Sequence, residues 1–239
     1  MNERRMTGFS DTPQAFPAAQ LDAAGLNRQA VFELAALPAE LLAGLGDISA
    51  YRQLILIGHG GRLLWQCVKA SGIASADPID DYTRRTLAQW FAATLPDNRY
   101  RLLYPGDSPL RLQQLGELAG WHQPSPFMVG VDREWGSWSA YRAVLLADTR
   151  FMPTPRHASQ SPCPDCAARP CQSACPAGAV SASGFDLGRC VAWRKQPASR
   201  CTFTCLARTA CPAGSEHRYS DEQLQHCYGI SLQTIRQYY

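Results

Sequence analysis

No run of lysine or arginine in this 239-residue chain exceeds two residues, and the formal net charge is only +3. Nucleic-acid surfaces are built from basic stripes with interleaved aromatics. None is present, so no nucleic-acid partner is expected. Long apolar runs are missing too, and none approaches the roughly 18 residues a membrane-spanning helix needs. Arg4-Arg5 has the form of a twin-arginine export signal, but Asp11, Pro13 and Pro17 stand where an apolar core would follow. Residues 1–25, rich in Ala, Pro, Gln and Thr, read instead as a flexible lead-in. The expectation is a cytoplasmic protein with no membrane partner.

What is plentiful is core-forming material. With 46% hydrophobic residues the chain can bury an ordered interior, which excludes a disordered protein. Its length fits one large domain or two smaller ones. Apolar residues recur at helical spacing over 30–45, with Pro38 as an interruption. Residues 53–58 (QLILIG) are continuously apolar and read as a buried strand, followed by a turn at His59-Gly60-Gly61 and a helix over 62–70. Asp77-Pro78 opens a helix to about residue 95, because Asp caps and Pro fits the first turn. Residues 101–104 are strand-like, 109–119 helical, and 127–131 and 141–147 are two further β-rich runs. Strands mixed with helices in this order predict an α/β or α+β layer around one sheet. A proline-rich link at 152–164 then leads into a different kind of sequence.

Ten cysteines stand in the chain, nine of them between Cys163 and Cys227. A reducing compartment disfavours structural disulfides, so clustered thiols read as metal ligands or redox groups. Cys163, Cys166, Cys171 and Cys175-Pro176 resemble in spacing the C-x2-C-x2-C-x3-C-P run of two-cluster ferredoxins, with a wider middle gap. In that run three thiolates hold one iron–sulfur cube, and the fourth ligates the other. Cys190, Cys201, Cys205 and Cys211-Pro212 form a second set, and Cys-Pro-Ala-Gly occurs at both 175–178 and 211–214. Two 4Fe-4S clusters need eight thiolates, which these eight positions supply. The swapping rule assigns Cys163, Cys166, Cys171 and Cys211 to one cluster. Cys175, Cys190, Cys201 and Cys205 are assigned to the other. Structural zinc and a single cluster with spare thiols remain the alternatives. Cys67 reads as a small buried hydrophobe and Cys227 as the substitute for Cys190.

Other residues carry two readings each. His59 and Gly60, in a glycine-rich turn after a strand, fit either close approach of a cofactor or a plain turn. Trp121, Trp135 and Trp138 fit either stacking on a flat ring system or core packing. Asp107 fits a general acid or a helix cap.

The segments Gly120-Trp121, Gly136-Ser137-Trp138 and 141–148, followed by the cysteine motifs with Cys190 between them, resemble epoxyqueuosine reductase. That family is a cobalamin-dependent iron–sulfur enzyme of tRNA modification. Residues 77–145 look like the cobalamin-processing chaperone superfamily, and the ending at 205–214 is similar to short bacterial ferredoxin-like proteins. The resemblance spans about residues 50–215. It implies an α+β architecture: a nitroreductase-like, corrinoid-chaperone-like domain over 26–150, a bis-4Fe-4S ferredoxin-like domain over 151–215, and a helical tail over 216–239.

Functionally it implies electron transfer from the clusters to or within a cofactor-binding N-terminal domain. The partner would be a redox protein or a small-molecule substrate. It also implies the alternatives of a cobalamin-dependent reductase and a non-enzymatic cobalamin-handling protein. Cobalamin would sit near His59, Gly60 and Trp138, with Asp107-Ser108-Pro109 in the place of the reductase's proton-donating segment. The basic G-W-x-G-K element is replaced by Gly120-Trp121-His122-Gln123-Pro124, and no long basic domain follows the cysteines, so tRNA is not expected as substrate.

Overall fold

A computed structural model describes residues 12–158 and 160–239. Arg4-Arg5 and the rest of 1–11 lie outside the described residues. Residues 12–25 are not the flexible stretch expected. Gln14 bridges to Phe151, Phe16 packs on Trp90 at 5.2 Å between ring centroids, and Ala19–Ala23 forms a short helix, α1, with Leu21 fully buried. Apolar residues spaced among the prolines are what fix this segment.

The chain continues through strand β1 (Arg28–Glu33), helix α2 (Ala39–Leu42), strand β2 (Gln53–Gly60), helices α3 (Leu63–Ala70) and α4 (Pro78–Thr94), strand β3 (Tyr100–Tyr104), helix α5 (Leu112–Ala119) and strand β4 (Ser139–Ala147). The four strands form one antiparallel sheet in the order β1-β2-β4-β3. Every residue of β2 is buried. That is why 53–58 is continuously apolar: the strand is central and covered on both faces. Ile55, Ile57 and Leu145 point to a core closed by α1, α3 and α4, with Trp90 and Phe91. Leu54, Leu56, Val144 and Leu146 point the other way, against Leu34, Leu41, Leu115 and Ala119.

Two sequence expectations fail here for physical reasons. Residues 30–45 are not one continuous helix but a strand end followed by two short helical turns, at 34–36 and 39–42. The first part pairs with β2 from Arg28↔Gly58 to Glu33↔Gln53, so Ala30 and Val31 face opposite cores, and strand pairing overrides the helical spacing. Residues 127–131 are not a strand. Phe127 turns down onto the cysteine-rich part, Met128 adopts φ 64°, and only Val131 makes a bridge, to Gln123.

The C-terminal part is small and loop-rich: helix α6 (Pro170–Ser173), the hairpin β5 (Val180–Ser181) and β6 (Gly184–Phe185), helices α7 (Leu187–Arg194) and α8 (Leu206–Ala210), and helix α9 (Asp221–Tyr238). Asp186 and Ser220 cap α7 and α9 by accepting from Arg189 N and Gln223 N. Among the described residues no helix is long and apolar enough to cross a membrane. Helix α9 lies against both parts of the molecule. His226 packs on Trp65 of α3, while Arg194 of α7 donates to Tyr228 O and Ser231 Oγ, each at 3.0 Å.

Candidate functional site

The eight motif cysteines lie close together: Cys171, Cys175, Cys205 and Cys211 share one apolar cluster, within which two sets can be distinguished. Cys163, Cys166, Cys171 and Cys211 all line one cavity of about 720 Å³, closed on one side by Pro124–Phe127. Helices α6 and α8 bring this about. Cys171 sits in α6, Cys211 ends α8, and the two helices pack on each other over Phe127, Val180 and Ala207. The thiol of Cys211 is raised above its ordinary pKa by burial, then by the nearby charges of Cys163, Cys171 and Cys166. Cys171 is raised by burial and by Cys163 and Cys166.

The second group answers to a different set. Burial pushes the Cys190 thiol up to about 11, with Cys205, Cys175 and Cys201 adding to the shift. Cys205 is raised by burial and by Cys201. Among the described residues no three His, Cys, Asp or Glu side chains converge on a position for a single metal ion.

Cys227 belongs to neither group. It packs against the core between the sheet and α3/α4, raised by burial with Arg142 and Arg208 as its charged neighbours. Cys67 is partly buried in the same core, its Sγ 3.7 Å from Ala23 O.

The residues marked for a cofactor in the first part are placed otherwise than expected. His59 and Gly60 are the end of β2 rather than a turn. His59 is 1% exposed and lies between Arg142, whose Nε is 3.1 Å from Nδ1, and Tyr219, whose Oη is 3.0 Å from Nε2. Gly60 is glycine because the Trp135 ring lies against it: a Cβ there would stand 2.2 Å from that ring. Trp138 is fully buried, with Tyr219 edge-on at 5.4 Å and the Arg208 guanidinium 4.5 Å above it. These residues fill a packed junction between the sheet and the cysteine-rich part, and they leave no room there for a flat ring. Asp107 is exposed in a turn at 105–107 and does not cap α5, which begins at Leu112 with Arg111 before it.

A cleft does exist nearby. Of about 300 Å³, it is lined by Arg28, Tyr104, Trp121, His122, Tyr141 and Arg142 together with 128–130. Arg28 is buried, pairs with Asp132 at 2.9 Å and lies 4.7 Å over the Trp121 ring. His122 Nδ1 is 3.4 Å from Tyr141 Oη. Burial lowers the His122 pKa and pushes Tyr141 up to about 12, so both are neutral near pH 7. The loop 124–131 serves both cavities, with 124–127 on the cysteine side and 128–130 on the cleft side. Sequence reasoning marked Trp121 only. The rest of the lining comes from separate segments, and Arg28 opens a strand whose later residues, 30–33, fall in the stretch with helical spacing.

The fold is similar to two groups of solved structures. Epoxyqueuosine reductase from Bacillus subtilis superposes with TM-score 0.53 at 16% identity, covering 84% of this chain and 66% of that one. An epoxyqueuosine reductase solved with an epoxyqueuosine-modified tRNA-Tyr stem loop gives 0.54 at 16%, covering 86% and 66%. A reductive dehalogenase, described in terms of B12-dependent dehalogenation, gives 0.50 at 12%, covering 89% and 33%. The chain thus spans about two thirds of the length of these reductases and a third of that dehalogenase, and at such identities the likeness is one of fold. No protein-family model and no curated protein sequence matches the chain.

Proposed function

We propose that this chain is an iron–sulfur redox protein holding two 4Fe-4S clusters, with the region 151–215 carrying them and 26–150 providing the seat of the electron acceptor. The observation that supports it is the sorting of eight cysteines, widely spaced in sequence, into the two quartets that the ferredoxin swapping rule assigns. Zinc would draw four sulfurs to one point about 2.3 Å from each. A cube is wider, and the cavity of about 720 Å³ at the first quartet suits the wider group. Bound clusters supply one-electron transfer at a potential set by thiolate ligation, hydrogen bonds to sulfur and burial. The chain's own part is to bring four thiols together, release their protons on loading, and exclude water with Phe127, Val180 and Ala207. Anaerobic purification tests this: about eight irons and as much acid-labile sulfide per chain are expected. Stoichiometric zinc without sulfide would overturn it.

A second reading, a corrinoid-linked reductase, is favoured by the fold, which is that of the two enzyme groups above. The residues near His59 and Trp138 do not fit a corrinoid, because they are packed against one another. The cleft at Arg28 and Trp121, about 300 Å³, is at the small end for drug-sized ligands, and a corrinoid is larger than those. This reading therefore requires loop 124–131 to move aside. No nucleic acid is carried over from the reductase solved with a tRNA stem loop, because this chain's +3 is spread without a basic stripe.

A further inference from the structure

The surroundings of the two quartets differ. The first quartet shares loop 124–131 with the cleft. The second lies under an outward surface with an unusual make-up. Phe203, between Cys201 and Cys205, is 52% exposed, and Leu187, at the start of the helix that carries Cys190, is 42% exposed. Gly229 of α9 faces the Phe203 ring, where an added Cβ would stand 3.8 Å from it, and Ile230 beside it is also exposed. A large aromatic in water between two thiols contributes nothing to the core.

Basic residues predominate on this surface, although Asp186 at its edge pairs with Arg189 at 3.4 Å. From 187 to 215 there is no Asp or Glu, while five basic residues occur. Arg194 and Arg208 are buried and hold the fold together. With Arg189 paired to Asp186, Lys195 and Arg200 are the basic residues that remain for the rim. An aromatic anchor with a rim of one charge sign is the make-up of a protein-docking face, and the sign of the rim selects the partner and speeds encounter.

We infer that the face around Phe203, with Lys195 and Arg200, docks an acidic one-electron carrier protein that delivers electrons to the second quartet. This rests on the two-cluster reading. Each event moves one electron: the carrier is oxidised by one and the chain reduced by one, with no bond made or broken. Entry at the second quartet and exit from the first toward the cleft gives the two quartets distinct roles.

The test uses anaerobically purified full chain with its iron content measured first. Chemically reduced flavodoxin, an acidic carrier, serves as the probe, and cluster bleaching is followed by stopped flow. The K195E/R200E double variant should lose about tenfold or more in reduction rate at low ionic strength, and salt should slow the native protein but hardly affect the variant. Surface plasmon resonance should show a matching loss of affinity for oxidised flavodoxin. Phe203→Ser should weaken binding at every salt concentration. Reduction by methyl viologen, a small cation needing no docking face, should not slow in either variant, and Arg85→Glu on α4 should behave as native toward flavodoxin. Full iron content with an unchanged flavodoxin rate and affinity in both variants would overturn the docking face while leaving the clusters standing. A native protein without iron and sulfide would overturn the reading beneath it.

Discussion

Tyr219 Oη stands 3.0 Å from Nε2 of His59, joining the segment just after the last cysteine motif to the central strand of the sheet across 160 residues of sequence. The partners fix the tautomer. Arginine can only donate, so Nδ1 of His59 accepts from Arg142 Nε, and Nε2 carries the proton that Tyr219 accepts. Both groups are buried. Tyr219→Phe removes that acceptor and should destabilise the protein by about 1–3 kcal/mol in denaturant unfolding. A change within a few tenths of a kcal/mol would mean the pair is not formed.

The same pair sets a pH dependence. Burial, then the charges of Arg142, Arg208 and Arg28, hold the His59 pKa well below its ordinary 6.5. The unfolded chain takes a proton near 6.5 and the folded chain does not. Stability is therefore fully present above that pH and falls as the pH drops below it, by up to about 1.4 kcal/mol per unit for one proton. His122 and His226, lowered by burial as well, act in the same direction. The informative comparison is between the native protein and His59→Gln, whose slope between pH 6.5 and 5.5 should be shallower. Equal slopes would place the proton elsewhere.

Ligand partition can be read one cysteine at a time. Cys→Ser at Cys163, Cys166, Cys171 or Cys211 should remove one cluster, halving iron, and the same change at Cys175, Cys190, Cys201 or Cys205 should remove the other. Cys67→Ser and Cys227→Ser should leave iron untouched, since both side chains pack in the core beside the sheet. Iron halved by Cys227→Ser but not by Cys190→Ser would refute the second quartet as drawn.

The repeated Cys-Pro-Ala-Gly offers an internal control. Gly178 and Gly214 have nearly the same left-handed φ, 59° and 58°. A Cβ on Gly178 would meet nothing closer than Arg189 at 3.7 Å, so Gly178→Ala should cost only the backbone strain, about 1–2 kcal/mol. A Cβ on Gly214 would stand 2.3 Å from Gly136 N, and one on Gly136 would stand 1.9 Å from Ala213 O. Here two backbones touch, beside Cys211. Gly214→Ala should therefore destabilise by several kcal/mol more than Gly178→Ala, with loss of iron from the first quartet, as measured by thermal unfolding and iron assay. Similar costs at both would show that the contact is looser than drawn.

The corrinoid reading has its own measurement. Cobalamin at about a hundredfold over its dissociation constant should raise stability by roughly 2.7 kcal/mol if it binds, and change its visible spectrum. Flavin is the control. A shift with flavin alone would redirect the acceptor to a flavin, and no shift with either would leave the cleft to a small molecule.

The cysteine spacing was legible as a motif, and the cavity that Cys163, Cys166, Cys171 and Cys211 line together agrees with the first of the two sets that the spacing suggests. The central strand was legible too, since burial on both faces leaves an uninterrupted apolar run at 53–58. Sequence could not show that 28–33 is a strand, because that depends on pairing with β2, nor that His59 and Trp138 are packed rather than open. A buried histidine between arginine and tyrosine reads the same along the chain as one beside a cofactor. The difference lies in Tyr219 and Arg208, brought from 160 and 70 residues away to the junction where the cysteine-rich part meets the sheet. The cleft was invisible for the same reason. Arg28, Trp121 and Tyr141 become neighbours only when β1, the loop after α5 and β4 meet at the sheet's end.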